Sequence, residues 1–532
     1  MSTTAKEMLF EQEARDALLK GIKKLSDVTA FTLGPNGKNV GLEKSWGAPT
    51  ITNDGSSIVS DIEVEDPYEN LGVSMAKEVV QKIKEKCGDG TTTGTLLLSS
   101  LVENGVKQIA AGHNAMSVKR GIDKCVEALL KQIDQLAIPV KDNKEITSIA
   151  TVSASGNTEV GELIGKAMEE VGKAGVITIE EGKGTETSIE IVKGMQFDRG
   201  YASGYFCTNN DKMTVDLENP SILITDKKIA NIHEILPLLQ NIAATQKELL
   251  IIAEDFEADV LSTLVINRLR GTLKVSAVKA PGFGDRRKAM LQDIAILTGG
   301  QVVSEETGTD LKDATEEVFG SAEKVEISKE KTTIVNGKGS PESIQERIKQ
   351  IEIESKETTS TYDKEKLDER KAKLSGGVAV IRIGAATEPE LKQRKQMFED
   401  SLSSTKAAVE QGVVPGGGIA LLRSIECLKG LSLNEDELVG RNVVSQACET
   451  PMRQIATNAG HDGSVILEEV RSRKSNEGFN AANGKIEDLV KAGVIDPAKV
   501  VKNALKHAAS VAGIVLISEA LIIEAPEDKE ED

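Results

Sequence analysis

The chain has 532 residues, a formal net charge of −19, 39% hydrophobic and 28% charged residues, and 47 glycines. That length exceeds one hydrophobic core and predicts about three domains. The acidic balance and 3% aromatic content weigh against nucleic acid as a general partner, because phosphate backbones are repelled and base-stacking platforms are scarce.

The start, Met1 to Glu7, has no apolar signal core. Ala14, Leu18, Leu19, Ile22 and Leu25 recur at helical spacing, and the helix is expected to end at the turn Leu33-Gly34-Pro35-Asn36-Gly37. Val40 to Glu43 and Thr50 to Thr52 read as short strands around Asp54-Gly55.

The most informative stretch is Cys87-Gly88-Asp89-Gly90-Thr91-Thr92-Thr93-Gly94. Glycines let backbone N–H groups approach phosphate oxygens, and threonine hydroxyls add donors. A lone aspartate suits Mg²⁺, which keeps phosphate oxygens as its other ligands. The apolar run from Leu96 to Ala110 places this loop at a helix N-terminus, which favours anions. A glycine turn with a threonine cap explains the eight residues equally well on their own.

The middle of the chain alternates. Val176–Ile179, Ile222–Thr225, Leu249–Ile252 and Val275–Val278 read as strands, with helices over Asn231–Ala243 and Asp259–Arg270. This implies a doubly wound α/β layer. Leu236, Leu239, Leu261 and Val265, with Tyr205 and Phe206, either line an exposed apolar groove or form ordinary core; core is the commoner outcome for amphipathic helices. Lys364 to Lys373 is a charged helix. Helices return over Arg394–Gln411, Ile419–Leu428, Val443–Ala459 and Pro497–Ala520. Helical ends around an α/β middle suggest one domain inserted into another. The apolar run Ala508–Ile517 is too short to span a membrane and reads as a buried helix. The acidic tail 526–532 is expected to be frayed.

Five cysteines (Cys87, Cys125, Cys207, Cys427, Cys448) without a C-x-x-C, and four scattered histidines, point away from zinc and disulfides and toward a reducing, cytoplasmic location. No Walker A, G-x-G-x-x-G or H-E-x-x-H pattern is present; Gly200 to Gly204 misses G-x-S-x-G by one residue. A small-molecule kinase or oxidoreductase therefore lacks its loop. Asp54, Asp89 and Asp400 are the carboxylates a phosphoryl-transfer site would use, one for Mg²⁺ and another for water, although each alone is more often a turn or cap residue.

Seven motifs together resemble the group I chaperonins of the bacterial GroEL type. They are Thr32-Leu-Gly-Pro35, Asp54-Gly55, Gly88-Asp-Gly-Thr-Thr-Thr93, Gly194-Met-Gln-Phe-Asp-Arg-Gly200, Lys279-Ala-Pro-Gly-Phe-Gly-Asp-Arg-Arg287, Gly377-Val-Ala-Val-Ile-Arg382 and Pro415-Gly-Gly-Gly418. They run in order over essentially the whole chain. The resemblance implies a multidomain α/β fold: a mainly α equatorial domain (1–135 and 411–532), a small α/β intermediate domain (136–192 and 379–410) and an α/β apical domain (193–378).

It further implies ATP hydrolysis coupled to folding of non-native polypeptides, in a homo-oligomer of two stacked seven-membered rings with a GroES-type lid, and no membrane or nucleic-acid partner. Its cofactors are ATP and Mg²⁺, with K⁺ as an accompanying cation. Thr32, Leu33, Gly34, Pro35 and Asn53 would surround the nucleotide. Asp89 would ligate Mg²⁺ and Gly90, Thr91, Thr92 and Thr93 would cradle phosphate. Gly417 would lie along the sugar-phosphate side, while Asn480, Ala481, Ala482 and Asp496 would hold base and ribose. Asp400 would activate water with help from Asp54; its place in the intermediate domain implies that a hinge closes before hydrolysis. Tyr205, Phe206, Leu236, Leu239, Leu261, Val265 and Ile266 match client-binding positions. Arg199 and Glu388 match a charged pair that holds the resting ring.

The chain departs from the family pattern at Asn36 and Asn53, where lysine is usual, at Gly94, where alanine is usual, and at Ala202 and Gly204, where leucine and proline are usual. The family's Gly-Gly-Met tail is missing. These departures suggest a diverged paralogue and leave a second reading open, a polypeptide-binding scaffold with little ATP turnover.

Overall fold

The structure is a computed structural model describing residues 5–43, 49–154, 156–172, 175–182, 184–209, 212–304, 310–312, 314–358, 360–375, 377–474 and 476–524. Trp46, Gly376 and the acidic tail lie outside these residues. The chain forms two compact units, one of residues 1–165 with 396–532, the other of residues 166–395.

The first unit is a helical bundle whose ends are joined. Strand Lys6–Phe10 pairs antiparallel with Ala520–Glu524, so the first and last described segments share a two-stranded sheet. The C-terminal helix accordingly stops at Ile517 and gives way to strand at Ala520, three residues earlier than periodicity predicts. Helix Glu11–Ala30 packs on Pro67–Cys87, and Ala498–Ile517 packs on Thr91–Ala110 and Ala115–Leu136. Ala498–Ile517 is long and apolar enough to cross a membrane (mean hydropathy 1.4), but 61% of it is buried inside this bundle, as a core helix is. Leu97, Leu98 and Leu101 of Thr91–Ala110 are fully enclosed in the core of this bundle. Each such side chain contributes about 1.5–3 kcal/mol on burial.

Capping fixes where these helices begin. Asp66 accepts from the amides of Tyr68 (2.9 Å) and Glu69 (3.2 Å), and Pro67 opens the helix that ends at Cys87. Gly88 closes it in the left-handed conformation (φ 71°), with its N–H bonded to the Lys84 carbonyl. Helix Glu435–Asn458 starts eight residues before the periodic pattern at Val443, because Asn434 and Glu437 form a reciprocal capping box.

The second unit holds an eight-stranded mixed sheet. Lys274–Lys279, Glu248–Ala253, Ser221–Thr225 and Val302–Val303 are parallel, with helices Leu236–Thr245, Ala258–Leu269 and Gly284–Thr298 between them. This is the doubly wound part. The remaining strands, Gly320–Ile327, Thr332–Gly337, Gly194–Phe197 and Val215–Glu218, run antiparallel. The strand–helix alternation of the middle segment therefore describes only half of the sheet. The helix expected over 231–243 is split: a capping box of Asn231 and Glu234 closes a 3₁₀ turn at Ile232–Glu234, and the α-helix starts at Leu236 with Pro237 in its first turn. A three-stranded sheet with Val378–Ile383 at its centre lies in the same unit. Beneath helices Pro341–Glu357 and Thr361–Ser375, Asp293 is almost wholly buried and is clamped by Arg347 (2.7 Å) and Arg370 (2.8 Å).

Candidate nucleotide site

All the residues assigned to phosphate and metal fall in the first unit, on segments far apart in sequence. Gly90 (φ 86°) precedes helix Thr91–Ala110, whose first turn has no side-chain cap. Its leading amides thus keep their capacity for an external acceptor. The Thr92 hydroxyl lies 3.4 Å from that of Thr32, which belongs to the turn after the first helix. That turn is closed by Gly37 N–H to Gly34 O (2.9 Å) and Lys38 N–H to Phe31 O (2.7 Å). The Asn458 amide donates to the carbonyls of Ala30 and Leu33, both at 2.8 Å. Sequence reading missed Asn458, since an asparagine at a helix end looks like a solvated polar residue. Pro35 and Asn36 are exposed beside this turn.

Asp54 caps helix Gly55–Asp61. It accepts from the amides of Ser56 (3.2 Å) and Ser57 (2.9 Å) and from both hydroxyls, at 2.7 and 2.6 Å. Burial pushes its pKa up, but these bonds and the Lys84 ammonium outweigh burial and hold it below the usual carboxylate range. The cap reading of Asp54 is met by these bonds, and the cap fixes where the carboxylate stands. A β-carbon on Gly55 would overlap the Thr92 hydroxyl, so Gly55 lets this helix meet helix Thr91–Ala110. Asn53 is exposed next to it.

Asp89 lies between the two helices. Its carboxylate accepts from the Gly90 amide (2.6 Å) and bonds Ser404. Solvent reaches it, yet protein crowds it on most sides, as on a cleft wall. That crowding and the nearby Asp54 raise its proton affinity. The opposite wall is residues 396–411. Ser403 occupies the space a β-carbon on Gly88 would need, and Cys87, Ala407 and Val500 form a small shared core. Asp400 belongs to this wall and thus to the same compact unit as Asp54 and Asp89. Burial, then the negative fields of Asp54 and Asp89, push its pKa to about 7 against the opposing effects of Lys84 and a 2.7 Å bond from Gln396.

The far end is built around Pro415-Gly416-Gly417-Gly418. Strand Val413–Pro415 pairs with Ile495–Pro497, and a β-carbon on Gly416 would sit 3.2 Å from the Asp496 carboxylate. Burial, with Asp89, raises the Asp496 pKa to about 7. Gly417 (φ 64°) approaches the Phe479 carbonyl, one residue before Asn480. Asn480 is buried, donates to Glu487 (2.8 Å) and accepts from the Ala482 amide (3.1 Å); Ala481 is buried and Ala482 exposed. Among the described residues no three His, Cys, Asp or Glu side chains form a ready-made metal cage. A cation here needs oxygens from a ligand, as Mg²⁺ on a polyphosphate has.

The second unit carries the positions matched to client binding. Phe206 is fully enclosed and Leu239 is 5% exposed, so neither offers its side chain to a partner; both belong to the sheet-covering core. Tyr205 is 71% exposed, Leu236, Leu261 and Val265 are half-buried, and Ile266 is exposed. Arg268 donates to the carbonyls of Phe206 (3.0 Å) and Cys207 (2.8 Å), tying the Tyr205 turn to helix Ala258–Leu269. Leu269, 66% exposed and one turn beyond Val265, extends this strip. The spacing i, i+4 was the signal for it. Arg199 stacks over the Phe283 ring at 5.5 Å, and Glu388 pairs with Lys392 at 2.7 Å.

The fold is that of a chaperonin. The TCP-1/cpn60 chaperonin family matches residues 25–526, and the chain belongs to that family. It is 66% identical over 527 residues to a protein named Chaperonin GroEL 3 of Protochlamydia amoebophila (strain UWE25), with 99% of each chain covered.

Proposed function

We propose that this chaperonin is an ATP-driven folding machine of the GroEL type. The observation that carries the reading is the meeting of Asp54, Asp89 and Asp400, from three remote segments, at the uncapped N-terminus of helix Thr91–Ala110.

The Gly90–Thr93 amides and hydroxyls bind the phosphates. Asp89 would hold Mg²⁺ together with phosphate oxygens, and the ion would neutralise the polyphosphate charge. Asp400 takes the proton from the water whose oxygen bonds to the terminal phosphorus as the bridging P–O bond breaks; a carboxylate with pKa about 7 suits that task near neutral pH. Asp54, kept ionised by its serines, orients the water or the cation. Asp496 and Asn480 receive ribose and base beside Gly417. Leu236, Leu261, Val265, Ile266 and Tyr205 present the apolar strip for non-native polypeptides, an interaction that is non-directional and tolerant of varied clients. The equatorial, intermediate and apical boundaries, the paired seven-membered rings, the lid partner, K⁺, the cytoplasmic location and the ring-holding roles of Arg199 and Glu388 belong to the same proposal.

The exposed Asn36 and Asn53, neutral beside the site, favour a second reading in which nucleotide binds but turns over little. Aggregation of a denatured client, followed with and without Mg-ATP, separates the two. A cycling chaperonin suppresses aggregation and releases refolded client on ATP addition. A static scaffold suppresses it and releases nothing.

A further inference from the structure

Helix Pro67–Cys87 ends beside Gly88-Asp89-Gly90, and its last six residues carry three alternating cations, Lys82, Lys84 and Lys86, the latter two in its last turn. Lys82 pairs with Glu78 one turn back. Lys84 points elsewhere. Its ammonium donates to the Ser56 hydroxyl at 2.7 Å, and that hydroxyl donates to the Asp54 carboxylate at 2.7 Å. A hydrogen-bonded relay therefore runs from a helix C-terminus to a carboxylate of the site. The Lys84 carbonyl also accepts the Gly88 amide at 2.9 Å, so the same residue closes the helix that delivers Gly88-Asp89-Gly90.

The electrostatic setting gives this relay a task. Asp54, Asp89, Asp400 and Asp496 place several negative charges around a cleft assigned to a polyanion. Unlike charges must balance them, or the nucleotide is repelled. Lys84 is a cation whose field reaches both Asp54 and Asp400. A flexible four-carbon stem allows the ammonium to leave Ser56 and meet a phosphate oxygen without moving the backbone.

We infer that Lys84 is a positioning residue for the terminal phosphate of the nucleotide, holding Asp54 through Ser56 and supplying positive charge at the end of the cleft where that phosphate sits. The inference rests on the nucleotide-site reading above. It assigns Lys84 a preference for a triphosphate over a diphosphate, because the terminal phosphate is the group at the Asp54–Asp400 end.

The test compares wild type, Lys84→Met and Lys84→Arg in full-length protein. Binding of fluorescent ATP and ADP analogues with Mg²⁺, the ATP turnover rate and the thermal midpoint are measured for each. The expected result for Lys84→Met is roughly tenfold weaker ATP-analogue binding, ADP-analogue binding changed by less than about threefold, turnover slowed by roughly tenfold or more, and an unchanged midpoint. Lys84→Arg is expected to restore most of the ATP preference. Wild-type protein that hydrolyses ATP while Lys84→Met matches it in triphosphate affinity and rate overturns the role of Lys84 alone. Equal loss of both nucleotides with a lowered midpoint and no rescue by arginine overturns it as well, in favour of a structural role. Wild-type protein that binds neither nucleotide overturns the reading of the site itself.

Discussion

The hydroxyl oxygens of Thr32 and Thr92 lie 3.4 Å apart across sixty positions of sequence. This contact ties the turn after the first helix to the start of helix Thr91–Ala110, and it depends on Gly55, whose missing side chain leaves room for Thr92. Gly55→Ala is expected to push Thr92 out of place, at a cost of about 1–3 kcal/mol in stability of this region. Nucleotide affinity should fall with it. Titration calorimetry with Mg-ADP checks the affinity, and an unchanged affinity would show that the two helix starts are free to separate.

Asp400 and Asp496, both held near pKa 7 against an ordinary 3.8, make the nucleotide-free protein bind protons that the unfolded chain does not. The native state therefore carries more bound protons between about pH 4 and pH 7. Stability from these two groups is greatest at the acid end, falls as pH rises through that window, and levels off above 7. Asp400→Asn should flatten part of this fall and stabilise the first unit above pH 7 by about 0.5–2 kcal/mol, while removing the proposed general base. Urea midpoints at pH 5 and pH 8 for wild type and variant test the sign.

Most of the elements were legible from periodicity, because helix and strand periods record which face is buried, whereas the nearness of Asp54, Asp89 and Asp400 needed the fold. Contacts made by single polar side chains were not legible. Asn458 pinning the Thr32–Gly37 turn and Lys84 reaching Ser56 depend on tertiary approach that no local pattern encodes. Capping boxes at Asn434 and Asn231 were readable in principle, and overlooking them misplaced two helix starts. The enclosed Phe206 and Leu239 show the limit of pattern reading: i, i+3 and i, i+4 spacing marks an apolar face without saying whether protein or solvent covers it.

Gly94 illustrates how packing overrides propensity. Glycine within a helix costs about 1 kcal/mol relative to alanine. Here the Ile83 side chain fills the space the alanine methyl would take. Gly94→Ala is expected to gain less than that amount, and Ile83→Val is expected to recover the difference. A double-mutant cycle by chemical denaturation should show a coupling of at least about 0.5 kcal/mol; simple additivity would contradict the contact.

Separation of core from surface in the second unit is testable at two neighbouring aromatics. Phe206→Ser, in the core, should lower the thermal midpoint of the protein. Tyr205→Ser, at an exposed site, should leave the midpoint unchanged and weaken capture of a denatured client, as should Ile266→Ser. Client capture unaffected by both surface changes would remove the strip from the proposed binding surface.

Asp293 holds the guanidiniums of Arg347 and Arg370 in a nearly dry setting. Asp293→Ala leaves two crowded cations without their partner and should destabilise the second unit by about 3–5 kcal/mol. Calorimetric unfolding of the full-length protein measures this, and a loss under 1 kcal/mol would mean that the arginines find water at little cost.

Single-turnover hydrolysis of Mg-ATP by purified wild type and Asp400→Ala tests the central claim most directly. The account predicts measurable cleavage by wild type and a rate lowered about 10²–10⁴-fold in the variant, with nucleotide still bound. Cleavage by Asp400→Ala at the wild-type rate would contradict it.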